Sequence, residues 1–264
     1  MTKSTVSALW RHPVKGFTPE AVSEALLCPG TFFPFDRVFT LEVGSSGFDA
    51  ENPVTVPKMR FAVLARFAAV ARLRTHYDET ADVLELTDEN GKAWRFAMAD
   101  VAGRHALCRH VENLLSRHED YDPVATPLKL LTAPETGTPF RFTDSGKGFV
   151  SFLNLNSLRD LSQRIGIDLD PIRLRANIWL DGLAAFEDHR WVGRTLRLGD
   201  DGPEFEVLKP IVRCVATHVN PQTAERDVDV CTALWDNYRH RDCGIYARIT
   251  KGGAIRPGGV LHLA

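Results

Sequence analysis

Paired cysteines are missing from this sequence. Its 264 residues include five cysteines, which stand far apart and form no C-x-x-C pair and no cysteine–histidine cluster with zinc-finger spacing. Isolated cysteines in odd number argue against a disulfide framework and against a structural zinc module. The chain also has no signal-peptide-like apolar start, and no stretch approaches about eighteen consecutive apolar residues, the length that a membrane helix needs. We therefore expect a protein of the reducing cytoplasm that uses no membrane.

An excess of positive charge is missing as well. Lys and Arg total 32 and Asp and Glu total 34, which leaves a formal net charge of −2. Basic proteins bind nucleic acid largely because their positive charge releases counterions from the phosphates. A chain with so small a net charge lacks that source of affinity, and we expect no nucleic-acid partner. The 44% of hydrophobic and 25% of charged residues are typical of a folded globular protein.

Several common catalytic motifs are also absent. The sequence contains no G-x-G-x-x-G, no G-K-[ST] and no G-x-S-x-G, and its nine histidines have no metalloprotease spacing. It therefore gives no signal for a Rossmann or P-loop nucleotide site, a serine hydrolase or a zinc protease.

Turn residues and strand-forming runs alternate in the first part of the chain. Residues 38–43 are rich in β-branched and aromatic side chains and end at a glycine-serine turn, which predicts a strand. The alternating run 82–87 and the run 93–96 flank Asn90-Gly91, which predicts a β-hairpin.

A helix and a polar junction follow. Apolar residues recur at helical spacing over 99–117, which predicts one amphipathic helix. The polar stretch 118–123 ends in a proline, as a domain junction often does. We therefore divide the chain into domains 1–120 and 121–264.

The second half shows one helix among strand-like runs. Residues 156–165 start after a polar cap and stop at Gly166, which predicts a helix. Runs separated by Gly, Pro, Asn and Asp predict a β-rich domain with strands near 174–180, 195–198, 205–208, 212–219 and 244–249.

Cys214 has the most suggestive surroundings of the five cysteines. It lies late in the predicted strand 212–219, directly after Arg213, and a cation beside a thiol increases its thiolate fraction. Taken alone, an unpaired cysteine in an apolar strand is more simply a small buried hydrophobe. Core packing or chance placement is expected for the others, Cys28, Cys108, Cys231 and Cys243.

Single cations form a second set of candidates: Lys15, Arg37, Arg173, Arg175 and Arg213. Guanidinium forks and an ammonium that converge from several turns can hold a phosphate without a P-loop. Arg173 and Arg175 have the same parity on the predicted strand and could face one pocket. For any of these residues taken singly, ordinary surface charge is the simpler interpretation.

Seven segments, taken in order, resemble a known family. They are Pro13-Val14-Lys15-Gly16, Asp36-Arg37, Arg173-Leu174-Arg175-Ala176-Asn177-Ile178, Phe186-Glu187-Asp188 with Trp191-Val192-Gly193, Arg213-Cys214 with Val219-Asn220-Pro221-Gln222-Thr223, Cys243-Gly244-Ile245-Tyr246, and Gly253-Ala254-Ile255-Arg256-Pro257-Gly258. Together they resemble a MOSC-domain protein with an N-terminal MOSC β-barrel domain, the arrangement of the mitochondrial amidoxime-reducing components and their bacterial relatives. The family usually has Ser where this chain has Gly16.

The resemblance implies a fold, a cofactor and a set of site residues. The fold is β-rich α+β, with an N-terminal β-barrel-like domain followed by a β-barrel MOSC domain with a few helices. The implied cofactor is the molybdenum cofactor, a pterin dithiolene that holds molybdenum, with Cys214 as catalytic residue and metal ligand. The implied cofactor-binding residues are Lys15, Arg37, Arg175, Asn177 and Arg213.

The resemblance also implies an activity. The expected protein is an oxidoreductase whose small-molecule substrates are N-hydroxylated or N-oxygenated compounds, with electrons from a separate ferredoxin- or cytochrome b5-like protein. One alternative is a carrier in which Cys214 holds molybdenum cofactor or a persulfide for delivery. The other is a scaffold that has lost its cofactor, which the intact Arg213-Cys214 pair disfavours.

Overall fold

The computed structural model describes residues 3–134, 139–144 and 150–263. The strands are β1 Lys3–Arg11, β2 Glu20–Val22, β3 Ala25–Leu27, β4 Phe39–Val43, β5 Arg74–Asp78, β6 Val83–Thr87, β7 Ala93–Ala97, β8 Leu128–Thr132, β9 Val150–Asn154, β10 Ile178–Asp181, β11 Thr195–Leu198, β12 Glu204–Val212, β13 Asp242–Lys251, β14 Gly253–Ile255 and β15 Val260–Leu263. The α-helices are α1 Val101–His118, α2 Leu155–Ile165 and α3 Val230–Tyr238, and 3-10 helices span Lys58–Arg60, Ala68–Arg72, Pro171–Leu174, Glu187–Trp191 and Val215–His218.

Seven strands close into a barrel. Their order is β10-β9-β13-β12-β11-β15-β1, and the pairing of β1 with β10 closes the ring. All neighbouring pairs are antiparallel except β9 and β10, which are parallel. In the barrel core, the fully buried Phe152 and Phe205 meet edge to face with ring centroids 5.1 Å apart. The expected β-rich α+β fold with a barrel is confirmed.

The two halves of the chain share strands across the expected domain boundary. β1, the first strand of the chain, pairs with β10 on one side and with β15 on the other, so it completes the barrel of the second half. In the opposite direction, β8 lies beyond residue 121 but pairs with β4. The division into domains 1–120 and 121–264 stays a prediction.

The first half builds its core between two small sheets and helix α1. β5, β6 and β7 form an antiparallel sheet, and β4 pairs with β8. These strands and α1 bury one apolar cluster, which includes Leu41, Leu84, Phe96, Leu107 and Val111. Within the described residues, none of the helices combines the length and the apolar character that a membrane crossing requires.

Strong local signals predict several elements correctly. The expected strand 38–43 corresponds to β4, the hairpin around Asn90-Gly91 is formed by β6 and β7, and the expected helix 99–117 is α1. The helix expected to stop at Gly166 is α2, and Gly166 ends it in the left-handed region with φ of 70°. Turn and cap residues determine these boundaries locally.

The predicted strand 174–180 is wrong over its first half. A 3-10 helix opens at Pro171, where the Asp170 carboxylate accepts a hydrogen bond from the Ile172 amide at 2.9 Å. Arg175 then turns into the left-handed region with φ of 52°, and β10 begins only at Ile178. Arg173 and Arg175 therefore do not share a strand face, and Asn177 does not lie on the strand.

The predicted strand 212–219 is also wrong. β12 ends at Val212, and the chain forms a 3-10 helix over Val215–His218. Cys214 is the N-cap of this short helix, and its carbonyl accepts hydrogen bonds from the Thr217 amide at 3.0 Å and the Thr217 hydroxyl at 2.9 Å. The cysteine thus sits on a turn, where a side chain is easily presented to a cavity.

Candidate functional site

One cavity contains every site residue that the sequence suggested. It is lined by Lys15, Arg37, Arg175, Asn177, Arg213 and Cys214. Lys15 and Arg37 come from the first half of the chain and the other four from the second, so the cavity lies between the two halves. Their roles stay predictions, but the structure brings all six together.

Cys214 faces a lysine that the sequence did not single out. The Nζ atom of Lys58 donates a hydrogen bond to the Cys214 Sγ atom at 3.1 Å, and it lies 3.7 Å from an Asp144 oxygen. Partial burial lowers the pKa of Lys58, but the hydrogen bond to Cys214 and the charge of Asp144 outweigh it, so the net pKa is raised. The lysine therefore stays protonated and places an ammonium group against the Cys214 sulfur.

Arg175 presents an unused donor to the cavity. Its Nη1 atom donates to the Phe17 carbonyl at 2.7 Å, while Nη2 is buried without a hydrogen-bond partner among the described residues. The neighbouring Arg37 donates to the Arg175 carbonyl at 3.2 Å. Burial, and after it the charge of Arg37, lowers the pKa of Arg175 to about 9. Two cations held together in this way favour an anion between them.

Lys15 is buried and held by the other half of the chain. Its ammonium donates to the Phe142 carbonyl at 2.8 Å and pairs with the Asp144 carboxylate. Burial lowers the pKa of Lys15, and Asp144 counteracts that effect only in part. Burial also raises the pKa of Asp144, but the Lys15 charge prevails and lowers it to about 2. Asp144 is therefore ionised and occupies part of the cationic surface.

The cavity as a whole is cationic. Among the described residues it is lined by six Lys and Arg side chains and by two carboxylates, Asp36 and Asp144. Asp36 is fully engaged, because it pairs with Arg37 and accepts a hydrogen bond from the His12 amide at 2.8 Å. Arg173 is neutralised outside the cavity by Asp227 at 2.8 Å. The excess of positive charge that remains suits a ligand with several negative charges.

The Arg213 side chain uses most of its donors in hydrogen bonds within the protein. Its guanidinium donates to the Leu174 carbonyl at 2.6 Å and to the Cys243 carbonyl at 2.7 Å. These bonds hold the turn that carries Arg175 against β13. Arg213 therefore positions its neighbours and adds charge, but offers few free donors.

The Asn177 side chain is likewise engaged in hydrogen bonds within the protein. Its side-chain oxygen accepts from the Ser151 hydroxyl at 2.8 Å, and its Nδ2 atom donates to the Trp10 carbonyl at 3.2 Å. The side chain thus ties β9 to β1 at the wall of the cavity. A direct contact between Asn177 and a cofactor stays a prediction.

Comparison with known proteins identifies the family. The family model of the MOSC domain matches residues 139–262, and that of the MOSC N-terminal beta barrel domain matches residues 3–129. The chain belongs to the MOSC-domain proteins. The resemblance inferred from the seven segments is therefore confirmed.

Two curated relatives of this MOSC protein share a name. A molybdenum cofactor sulfurase from Caenorhabditis elegans is 37% identical over 118 residues, which are 41% of this chain and 16% of the relative. A molybdenum cofactor sulfurase from Caenorhabditis briggsae is 36% identical over 132 residues, 43% of this chain and 18% of the relative. The chain thus matches less than a fifth of the length of these proteins.

Solved structures with low sequence identity are also similar. The YuaD protein from Bacillus subtilis has a TM-score of 0.45 and 10% identity, with 98% of this chain and 94% of that chain covered. YiiM from Geobacillus stearothermophilus has a TM-score of 0.33 and 21% identity, with 44% of this chain and 54% of that chain covered.

A second depression continues from the cavity of the MOSC protein at Cys214. We call it the outer groove, and it shares Lys58, Ala65, Val212, Arg213 and Cys214 with the cavity. Its walls include four large apolar side chains that are about half exposed, namely Met59 at 50%, Val212 at 63%, Val215 at 47% and Trp235 at 51%. Cys214 can therefore be reached along a partly apolar route.

Sequence reasoning missed three residues of the cavity, Lys58, Asp144 and Tyr246. Lys58 lies in no motif and reaches Cys214 only because a 3-10 helix of the first half packs there. Tyr246 belongs to one of the seven segments but carries no chemical signal of its own. A phenol on the cavity wall cannot be recognised before the strand register is known.

Proposed function

We propose that this MOSC protein binds a molybdenum cofactor in the cationic cavity and reduces N-hydroxylated or N-oxygenated compounds. The electrons come from a separate donor protein of ferredoxin or cytochrome b5 type. The observation that carries this proposal is the buried, unpartnered Nη2 atom of Arg175 in the same cavity as the Cys214 thiol.

The residues present fit such a cofactor. An anionic group in the cavity would give Arg175 Nη2 an acceptor and would relieve the repulsion between Arg175 and Arg37. A thiolate is the soft ligand that suits molybdenum, and the Cys214 sulfur lies on the cavity wall with the Lys58 ammonium beside it. Lys15, Arg37 and Arg175 then hold the phosphate and pterin, while Arg213 and Asn177 position the walls.

Each residue has a separate task in the proposed reaction. When bound, the cofactor supplies two-electron redox chemistry at the metal. Reduction of a hydroxylamine consumes two electrons and two protons, breaks the N–O bond and releases an amine and water. Lys58 holds a proton at its Nζ atom, 3.1 Å from the Cys214 Sγ atom, where the outer groove meets the cavity. The apolar walls of the groove bind the organic part of the substrate and exclude water around it.

A second candidate function is a carrier of molybdenum cofactor or of persulfide sulfur. It is favoured by the name of the two curated relatives, molybdenum cofactor sulfurase. It also uses Cys214, because a cysteine thiolate can attack a sulfur donor that reaches it beside the Lys58 ammonium. Catalytic turnover with a chemical electron donor separates the enzyme from the carrier, which transfers its cargo without turnover.

The test combines metal analysis with turnover. We expect purified protein to contain about one molybdenum and one pterin per chain and to reduce an amidoxime with reduced methyl viologen. Cys214→Ser should abolish turnover while the circular dichroism spectrum is unchanged. The matched control is Cys28→Ser, which alters an exposed cysteine outside the cavity and should keep full activity. Full activity of Cys214→Ser, or protein that contains neither molybdenum nor pterin, would contradict the proposal.

A further inference from the structure

Three potential metal ligands meet on the wall of the outer groove, and none of them lines the cavity proposed for the cofactor. His218 ends the 3-10 helix after Cys214, Asp229 is the N-cap of α3, and Cys231 lies in the first turn of α3. One ligand atom from each lies within 4.8 Å of the others, and His218 Nε2 is 3.1 Å from an Asp229 oxygen. Their spacing along the chain matches no common zinc motif, so the sequence did not reveal them.

The same three residues open to one space. All of them line the outer groove, with Cys231 buried, His218 half-buried and Asp229 exposed. A metal ion bound to them would therefore have one side facing the groove. That is the arrangement of sites with three protein ligands and an open coordination position.

Neighbouring groups already orient the ligands. The His218 carbonyl accepts a hydrogen bond from the Arg173 guanidinium at 3.1 Å. The Asp229 carboxylate accepts from the Thr232 amide at 2.8 Å and from the Thr232 hydroxyl at 3.0 Å. The contacts of Asp229 reduce the rearrangement that metal binding requires of its carboxylate. The His218 Nε2 atom accepts a long hydrogen bond from the Cys231 amide at 3.4 Å, which a bound ion would replace.

We propose that His218, Asp229 and Cys231 bind a Zn²⁺ ion. An imidazole nitrogen, a carboxylate oxygen and a thiolate sulfur are the ligand types that zinc prefers, whereas Mg²⁺ and Ca²⁺ prefer oxygen alone. Zinc bonds of about 2.0–2.3 Å in tetrahedral geometry separate ligand atoms by about 3.3–3.6 Å. The observed separations of up to 4.8 Å need only small side-chain rotations to reach that range.

The site shares no residue with the proposed cofactor contacts and goes beyond the proposed reductase. The ion would connect the turn that follows Cys214 to the first turn of α3. Its fourth position would take water or an anionic group of a molecule in the outer groove.

The experiment titrates chelator-treated full-length protein with Zn²⁺ by isothermal calorimetry. We expect one tight site per chain, and Co²⁺ in its place should show the near-ultraviolet absorption of a cobalt–thiolate bond. Cys231→Ser, His218→Gln and Asp229→Asn should each weaken binding at least about tenfold. Asp229→Asn retains a good N-cap residue, so it keeps α3 intact.

Matched variants identify the site. Asp236→Asn removes an exposed carboxylate from the same helix, and Cys214→Ser removes the neighbouring thiol. Both should bind Zn²⁺ as the unchanged protein does. Unchanged affinity in Cys231→Ser and His218→Gln, or loss of the cobalt–thiolate band in Cys214→Ser, would overturn the proposal. Molybdenum content measured on the same samples reports on the proposed function separately.

Discussion

At the scale of single residues, Lys58 is the cation in direct contact with the Cys214 sulfur. Its ammonium donates to the Cys214 Sγ atom at 3.1 Å, and reactive cysteines are found in such electropositive, partly exposed surroundings. In a Cys28→Ser background, which removes the exposed cysteine, Lys58→Met should slow the alkylation of Cys214 by iodoacetamide at pH 7 about tenfold. The rate is measured by mass spectrometry of the modified peptide.

The control for this prediction lies on the same short helix. Arg60 is exposed and does not line the cavity, so Arg60→Met removes one positive charge without touching the thiol. Equal alkylation rates in Lys58→Met and Arg60→Met would show that the direct hydrogen bond has no effect on Cys214.

Asp188 is a buried carboxyl that costs stability when it ionises. It is 0% exposed, its Oδ2 atom has no partner among the described residues, and burial raises its pKa to about 6. A raised carboxyl pKa adds stability at low pH, and that stability is lost as the pH rises towards 6. Because one pKa unit corresponds to about 1.4 kcal/mol, ionised Asp188 costs on the order of 2–3 kcal/mol at pH 8.

The substitution Asp188→Asn should therefore stabilise the folded protein more at high pH than at low pH. We expect its effect on the free energy of unfolding to be about 2 kcal/mol more favourable at pH 8 than at pH 4.5, measured by urea denaturation. The control is Asp181→Asn, because Arg159 at 2.8 Å lowers the pKa of Asp181. That variant should show no such gain at pH 8. A pH-independent effect of Asp188→Asn would mean that Asp188 titrates normally in the folded protein.

At the scale of elements, sequence signals succeeded where a boundary is determined locally. Asn90-Gly91 and Gly166 each place a glycine at a position with positive φ, and both the hairpin and the end of α2 were predicted. The predicted strands around Arg175 and Cys214 were wrong because contacts with distant segments shape those turns. Helix α3 was missed because its nine residues are too few for a clear periodic pattern.

Gly16 shows how closely two elements approach beside the cavity. It adopts φ of +92°, and a Cβ atom there would lie 2.7 Å from Val63 Cα and 2.8 Å from the Ala62 carbonyl oxygen. A serine, which the family usually has at this position, would not fit here without a shift of the backbone. Gly16→Ala should lower the free energy of unfolding by about 2–4 kcal/mol, from backbone strain plus overpacking, as measured by urea denaturation.

The matched control separates strain from crowding. Gly91 also has positive φ, at +78°, but nothing lies within 4 Å of the point that a Cβ atom would occupy there. Gly91→Ala should therefore cost only about 1 kcal/mol in the same urea experiment. Equal losses in Gly16→Ala and Gly91→Ala would contradict the close approach of Gly16 to Val63.

At the scale of the whole molecule, the cavity exists only because the two halves are joined. β1 closes the barrel, and β8 pairs with β4 across the expected boundary. A truncated chain that starts near Asp122 would lack β1 and would leave β10 and β15 each unpaired along one edge, so it cannot test cofactor binding cleanly. The sequence indicated which residues belong together, but these long-range pairings cannot be read from local patterns. Single substitutions in the full chain are the better test.

The cations that hold the proposed cofactor should come from both halves. Lys15→Met and Arg175→Met each remove one charge-assisted hydrogen bond, which is worth about 1.5–3 kcal/mol or one to two factors of ten in affinity. Both variants should therefore lose molybdenum and pterin on dialysis, as measured by metal and pterin analysis. Arg37 is a poorer choice, because its removal would leave the buried Asp36 without its guanidinium partner.

The control for these variants is a substitution of a residue that also connects the two halves but does not line the cavity. Arg226 does so, because its Nη2 atom donates to the Leu64 carbonyl at 2.7 Å. Arg226→Met should keep its cofactor even where its melting temperature falls, since it removes a contact between the halves and no contact with the ligand. If Lys15→Met retains the cofactor as well as Arg226→Met does, the first half supplies no essential lysine. If Arg226→Met loses the cofactor as readily as Arg175→Met does, cofactor occupancy depends on the contact between the two halves and not on the individual cations.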